Sequence, residues 1–134
     1  MPNRPSALTY RKRQDPEPNQ IVNSNHPLLN LLNERVVVID GAMGTSIQAS
    51  NLSLDKDFAG HENCSEILNE TRPDVIEDIH HSFLRVGAEG IETNTFGGNR
   101  IVLGEFGIAD RAYALNKLGA EIARRSADRY ARSG

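Results

Sequence analysis

The chain has 134 residues, one cysteine and a formal net charge of −3, which suits one domain of ordinary size. The mild negative charge gives no electrostatic basis for binding nucleic acid or an anionic membrane surface. A single cysteine excludes an internal disulfide, and no apolar run approaches the length of a membrane span. We therefore predict a cytoplasmic protein without nucleic-acid or membrane partners.

The first 26 residues differ in composition from the rest of the chain. They contain four prolines and the basic triplet Arg11-Lys12-Arg13, with almost no apolar periodicity. Such a segment buries too little apolar surface to offset the entropy lost on ordering. We predict a disordered leader over residues 1–26 and a folded part over residues 27–134, which opens with a short amphipathic helix at 27–33.

A buried strand is predicted over residues 36–40, because three valines and an isoleucine run continuously there. The strand ends at Asp40, and Gly41 and Gly44 lead into a helix predicted over residues 45–50. A carboxylate at the end of a buried strand is costly unless it pairs or binds a ligand. The simpler alternative is a strand-to-helix turn in which Asp40 caps the helix; both interpretations stay open.

The clearest helix is predicted from Pro73 to Val86, after one or two helical turns at 64–69. Thr71 and Asp74 resemble a capping box, and Gly87 suits the position after the last turn. Apolar side chains recur at helical spacing along the predicted helix: Val75, Ile76, Ile79, Phe83 and Val86.

A second strand is predicted over residues 89–93, followed by a turn-rich loop at 94–99. A short helix at 100–106 and a long helix from about Asp110 to Arg132 complete the chain. The inward face of the long helix is predicted at four positions: Leu115, Leu118, Ile122 and Ser126.

The order of elements is βαβα, and the helical crossover forces the two strands to run parallel. Their carboxyl ends carry polar residues on one edge: Asp40-Gly41 on the first and Glu92-Thr93-Asn94 on the second. Two parallel strands cannot form a covered sheet. We therefore predict an α/β fold consisting of the opening βα units of a larger domain, which for a (β/α)8 TIM barrel needs roughly 250 residues.

The turn after the first strand favours an amino acid over a phosphate. No lysine follows the second glycine, so the phosphate-binding loop pattern fails, and the dinucleotide pattern lacks a third glycine. Asp40 repels a phosphate, whereas a zwitterion places its ammonium on Asp40 and its carboxylate on free N–H groups from Gly41 onward.

A zinc site built from His61, Cys64, His80 and His81 is not favoured. Adjacent histidines on a helix point about 100° apart, so both cannot readily bind one ion. We predict His80 and His81 on the surface or flank of their helix. Cys64 is either a nucleophile near a helix start or, more commonly for a lone cysteine, a semi-buried structural thiol.

Three segments together resemble the start of the homocysteine S-methyltransferase domain, in the form carried by cobalamin-dependent methionine synthases. They occur in the family's order and extend the resemblance over about residues 28–132. The matching segments are Asp40-Gly41-Ala42-Met43-Gly44-Thr45, then Asn63 to Asn69 leading to Arg72-Pro73-Asp74, and Gly87 to Arg100.

The resemblance implies a (β/α)8 barrel that binds homocysteine at the carboxyl ends of its strands. In this family, zinc held by three cysteines takes the homocysteine sulfur as a thiolate. The thiolate takes a methyl group from methylcobalamin, which methyltetrahydrofolate recharges on other modules. The implied substrate-binding residues lie at the two strand ends: Asp40, Gly41, Ala42, Glu92, Thr93 and Asn94.

The chain departs from the family in its metal ligands, because the zinc cysteines belong to later strands, beyond Gly134, and Cys64 matches none of them. We expect an N-terminal fragment without catalytic or metal-binding residues, inactive alone and without bound zinc or cobalamin. Its implied partners are homocysteine, the remaining barrel and the cobalamin and folate modules. Two alternatives stay open: a homocysteine methyltransferase fused to a methylenetetrahydrofolate reductase, and a non-catalytic amino-acid-binding remnant.

Overall fold

The computed structural model describes residues 26–133, so the leader predicted over 1–26 lies outside the described residues except for His26. Contacts divide the chain into two units at Val36. The first unit ends with helix α1 (Pro27–Glu34), which has Pro27 in its first turn as predicted. No residue of α1 is buried.

The second unit, from Val37 onward, is mainly helical. Two 3-10 turns, Ser65–Ile67 and Ala109–Arg111, precede the third and sixth helices. The helices predicted over 73–86, 100–106 and 110–132 are confirmed to within about two residues at each end. Among the described residues of this unit the α-helices are α2 (Met43–Ala49), α3 (Leu68–Thr71), α4 (Pro73–Arg85), α5 (Arg100–Glu105) and α6 (Ala112–Ser133).

The two predicted strands are not formed as strands. Over the described residues, the segments at 36–40 and 89–93 share one parallel bridge, between Ile39 and Gly90. The Asp40 N–H donates to the Gly90 carbonyl at 3.0 Å, and the Glu89 N–H donates to the Val38 carbonyl at 2.7 Å. The predicted parallel direction is correct, but the predicted length of the pairing is wrong. Within residues 26–133, neither segment has a second neighbouring strand that would continue the ladder.

The prediction that the first segment is a buried strand is also wrong with respect to burial. Val36, Val38 and Ile39 are 84%, 55% and 57% exposed. The helices of the described residues pack against one another and do not cover these apolar side chains.

The core forms where α4 packs against α6 and α3. Within the predicted stripe of α4, Ile76 and Ile79 are buried, whereas Val86 is 83% exposed because the helix ends at Arg85. Gly87 adopts a left-handed φ of 101°, as its predicted position after the helix requires. Side chains under 2% exposed form the centre of the core: Ile67, Leu68, Ile76, Leu103, Leu115 and Ile122.

The predicted capping box of α4 is wrong. Arg72 occupies the N-cap without a side-chain cap hydrogen bond. The Thr71 hydroxyl donates instead to the carbonyls of Asp57 and Ile67, and Asp74 pairs with Arg72 at 2.8 Å. Within residues 26–133, no helix is both long and apolar enough to cross a membrane.

Candidate functional site

One cavity of about 280 Å³ brings together the two chain segments that the sequence predicts as a site. Ser65 and Phe96 complete its walls together with Met43 and Gly44. Segments about 50 residues apart in sequence therefore meet at one cavity. All the predicted substrate-binding residues line it: Asp40, Gly41, Ala42, Glu92, Thr93 and Asn94.

Asp40 is the buried carboxylate of this cavity, with 9% of the residue exposed. Its Oδ1 accepts a hydrogen bond from the Glu92 N–H at 2.7 Å. Its Oδ2 lies 3.8 Å from Nδ1 of His80. Asp40 therefore links the two extended segments and also presents a negative charge at the cavity wall.

His80 lies in the core, and the prediction that it occupies the surface or flank of α4 is wrong. The residue is 0% exposed, and neither ring nitrogen has a hydrogen-bond partner among the described residues. Burial lowers the pKa of His80, and the nearby Asp40 carboxylate acts in the opposite direction. The available sequence signal was its position, four residues after Ile76 on the buried face of the helix.

The turn after Asp40 differs from the prediction in its helix start and in its cap. Helix α2 begins at Met43, and its N-cap is Ala42, which adopts a left-handed φ of 52°. The interpretation of Asp40 as the helix cap is therefore wrong. A side-chain carbon added at Gly41 or Gly44 would have no neighbour within 4 Å, so the backbone of this turn lies open.

The second wall combines exposed and buried polar side chains. Glu92 and Thr93 are exposed, and the Thr93 hydroxyl lies 2.6 Å from that of Thr95. Asn94 is 4% exposed, and its Nδ2 donates to the Ser65 carbonyl at 2.8 Å. Glu92 and Thr93 are thus accessible to a ligand, whereas the amide of Asn94 holds the wall together.

A buried polar network that sequence reasoning missed supports this second wall. The Asn69 Nδ2 donates to the carbonyls of Asn94 at 2.8 Å and Leu115 at 3.2 Å. The carboxylate of Glu66, 4% exposed, accepts from the Gly97 N–H at 2.6 Å. Asn69 and Glu66 lie in two short helical turns, where polarity alone does not distinguish a buried side chain from an exposed one.

A larger cavity of about 400 Å³ lies beside α2 and shares Gly44 and Ser65 with the candidate site. Its apolar lining includes Ile47, Leu52 and Phe58. None of the predicted substrate-binding residues lines it. The smaller cavity is the better candidate site because buried charge and accessible polar side chains converge there.

Metal binding through thiolates does not fit the residues present. Cys64 is the chain's one cysteine and is 0% exposed. Burial raises the pKa of its thiol, which favours the structural interpretation over the nucleophilic one. In the part of the chain that the structure describes, no group of three or more His, Cys, Asp or Glu side chains is arranged to hold a metal ion.

Comparisons with known proteins identify the family of this chain. Residues 37–133 match the family model for homocysteine S-methyltransferase. Over 101 residues the chain is 57% identical to a methionine synthase of Mycobacterium tuberculosis and 55% identical to one of Mycobacterium leprae. Each alignment covers 75% of this chain, and the chain spans 8% of the length of each relative.

Proposed function

This chain belongs to the homocysteine S-methyltransferase family, and we propose that residues 27–134 are the N-terminal part of a homocysteine-binding (β/α)8 barrel. The whole protein is then a cytoplasmic enzyme that makes methionine. It transfers a methyl group from methylcobalamin, supplied by methyltetrahydrofolate, to zinc-bound homocysteine. The identity to two methionine synthases and the match over 37–133 support this assignment.

The observation that carries the proposal is the convergence of Asp40 and Glu92–Asn94 on one cavity. We assign the ammonium group of homocysteine to the Asp40 carboxylate, since a buried negative charge is stabilised by a cation. The substrate carboxylate then contacts backbone N–H groups from Gly41 onward, where the turn is open. The two charged ends of an amino acid thus meet complementary groups on one wall.

The second wall, next to Asp40, supplies further polar contacts in this proposal. Glu92 and Thr93 are exposed to the cavity and are assigned to substrate contact. Asn94 belongs to the same wall, but its buried amide is committed to Ser65 and Asn69. We therefore assign to Asn94 the task of shaping the wall.

In this proposal, the zinc and cobalamin of the whole reaction are bound by other parts of the protein and not by the residues of this chain. Its one cysteine is buried and its thiol pKa is raised, so a site of three thiolates does not fit these residues. We propose that this chain binds the amino-acid end of homocysteine. The remaining barrel strands and the cobalamin and folate modules then provide metal binding and methyl supply.

An exchange experiment tests this function. The aligned 101 residues of the Mycobacterium tuberculosis methionine synthase are replaced by those of this chain, and methionine formation is measured. The exchange enzyme is expected to make methionine, and Asp40→Ala to raise the KM for homocysteine by about tenfold or more. The KM for methyltetrahydrofolate is expected to stay unchanged.

Lys117→Ala is the matched control, because Lys117 is exposed on α6 and does not line the cavity. A folded exchange enzyme that fails to make methionine would contradict the proposal. The reading frame downstream of Gly134 tests the barrel assignment separately, since further βα units carrying a cysteine and a later cysteine pair are expected there. A downstream reductase module would support the fusion alternative instead.

A further inference from the structure

His80 is a fully buried histidine in α4 that the proposed function has not used. Its ring is 0% exposed, and Nδ1 and Nε2 both lack a hydrogen-bond partner within residues 26–133. Buried polar atoms in proteins are almost always hydrogen-bonded, and leaving one unpaired costs free energy. A buried imidazole is therefore stabilised if a nearby polar group forms a hydrogen bond with it.

Asp40 is the partner that the geometry provides. The charged and titratable groups that act on the pKa of His80 are Asp40, His81 and Glu77. His81 and Glu77 lie on the same helix, whereas Asp40 approaches from the cavity wall with Oδ2 3.8 Å from Nδ1. That separation exceeds a hydrogen bond by less than about 1 Å, a gap that a small rotation of either group closes.

The protonation state of His80 determines what it offers to the carboxylate. Burial lowers the pKa of His80 from its ordinary value of 6.5, so the ring is neutral at pH 7. A neutral imidazole has one N–H donor and one acceptor nitrogen, whereas an ionised carboxylate only accepts. The tautomer that suits Asp40 carries its hydrogen on Nδ1.

We propose that His80, in its Nδ1–H tautomer, is a positioning residue that orients Oδ2 of Asp40 while the Glu92 N–H holds Oδ1. This inference rests on the proposed function, in which Asp40 receives the ammonium group of homocysteine. With a donor on each oxygen, the carboxylate is fixed about its terminal torsion and presents its remaining lone pairs to the cavity. Loss of the His80 donor frees that torsion and weakens substrate binding.

Nitrogen-15 NMR of the histidine rings in the full 134-residue chain tests the pairing without any substrate. The wild-type chain is expected to show His80 with hydrogen on Nδ1. In Asp40→Asn, the Glu92 N–H keeps the amide oxygen on its side, so the amide NH₂ faces His80. His80 is then expected to switch to the Nε2–H tautomer. Hydrogen on Nε2 in the wild-type chain, or no switch in the variant, would overturn the proposal.

Kinetics of the exchange enzyme test the positioning role itself. The amide nitrogen of His80→Asn lies close to the position of Nδ1, whereas that of His80→Gln lies close to the position of Nε2. We expect His80→Gln to raise the KM for homocysteine about tenfold with a smaller change in kcat, and His80→Asn to stay within about threefold. Equal KM values for the two variants would overturn the positioning role.

His81→Asn is the control, because it changes the neighbouring histidine on the same helix. It is expected to leave the KM for homocysteine unchanged. If the exchange enzyme makes no methionine, the proposed function fails, and the tautomer measurement still decides the pairing of His80 with Asp40. That measurement also needs no variant of His80, so a poorly folded His80 variant cannot prevent a decision.

Discussion

The Oδ1 atom of Asp40 accepts a hydrogen bond of 2.7 Å from the backbone N–H of Glu92, 52 residues later in the chain. This bond continues the pairing that the parallel bridge between Ile39 and Gly90 begins. The side chain of Asp40 thus takes the place of a backbone acceptor at the end of a short pairing. Asp40 is therefore both a structural link and the charged group of the candidate site.

Replacement of Asp40 is expected to loosen the second extended segment. Asp40→Ala leaves the Glu92 N–H without its acceptor, which is expected to cost about 1–3 kcal/mol of unfolding free energy. Asp40→Asn keeps an oxygen acceptor and is expected to cost less. Amide hydrogen exchange at Glu92, with denaturant unfolding, measures both effects.

Asp55→Asn is the control for the two Asp40 variants, since Asp55 is an exposed aspartate in the loop before α3. It is expected to change stability by no more than about 0.5 kcal/mol. Unchanged exchange at Glu92 in Asp40→Ala would contradict the structural role of the carboxylate.

Asn69 is expected to be a main stabilising residue of the loop that forms the second wall. Asn69→Ala removes the donor to two carbonyls, those of Asn94 and Leu115, and leaves buried acceptors unpaired. The expected loss is about 1–3 kcal/mol of unfolding free energy, measured by chemical denaturation. Asn51→Ala, at an exposed asparagine, is the control. Equal unfolding free energies of the two variants would show that the buried amide of Asn69 does not stabilise the fold.

Gly119 in α6 is expected to be required for close packing. A side-chain carbon there would lie 2.8 Å from Cγ2 of Thr95 and 2.9 Å from Nδ2 of Asn69. Gly119→Ala gains up to about 1 kcal/mol of helix propensity, but the overpacking costs about 1–3 kcal/mol. We expect a net loss of stability and of the Asn69 hydrogen bonds, measured by thermal unfolding and by exchange at the neighbouring amides.

Gly104→Ala is the matched comparison for Gly119→Ala, and its expected effect on stability is the opposite. The added carbon in α5 would approach nothing closer than Cβ of Ala109 at 3.8 Å, an ordinary packing distance. This variant is expected to be neutral or stabilised by about 0.5–1 kcal/mol. A stabilised Gly119→Ala protein would show that α6 can move away from the second wall without cost.

The ion pairs of Arg72 are expected to lose their contribution in acid. The pKa of Asp57 is lowered first by a hydrogen bond from the Ser53 backbone N–H and then by the Arg72 side chain. The pKa of Asp74 is lowered by its hydrogen bond to Arg72. A carboxyl with a lowered folded-state pKa stabilises the fold above its unfolded value, here 3.8, and loses that contribution as the pH falls through the folded value.

The difference in Tm between the wild-type chain and Arg72→Gln is therefore expected to be constant above about pH 5 and to shrink below about pH 4. Arg100→Gln removes the same charge at an exposed position and is expected to give a small difference without that decrease. A difference that grows on acidification would contradict the role of Arg72.

The long helices could be predicted because their apolar side chains repeat at helical spacing over many residues. Helix α4 follows from its apolar stripe, of which Val86 lies beyond the end of the helix. Helix α6 follows from Leu115, Ile122 and Ser126, which are at most 1% exposed, and from Leu118, which is half-buried. Such periodic burial is a local property of the sequence. The capping of α4 was predicted wrongly because the Thr71 hydroxyl donates to the carbonyl of Asp57, distant in the chain, and Asp74 pairs with Arg72.

The sequence by itself determined the family, the helices and the six residues that line the candidate cavity. These are properties of residue type, local spacing and motif order, which do not depend on what packs around them. Only the tertiary structure decided that the valine-rich segment forms one bridge within the described residues, that His80 is buried beside Asp40, and that Asn94 is held by Asn69. Each of these depends on the presence or absence of a partner distant in the chain, which local spacing does not encode.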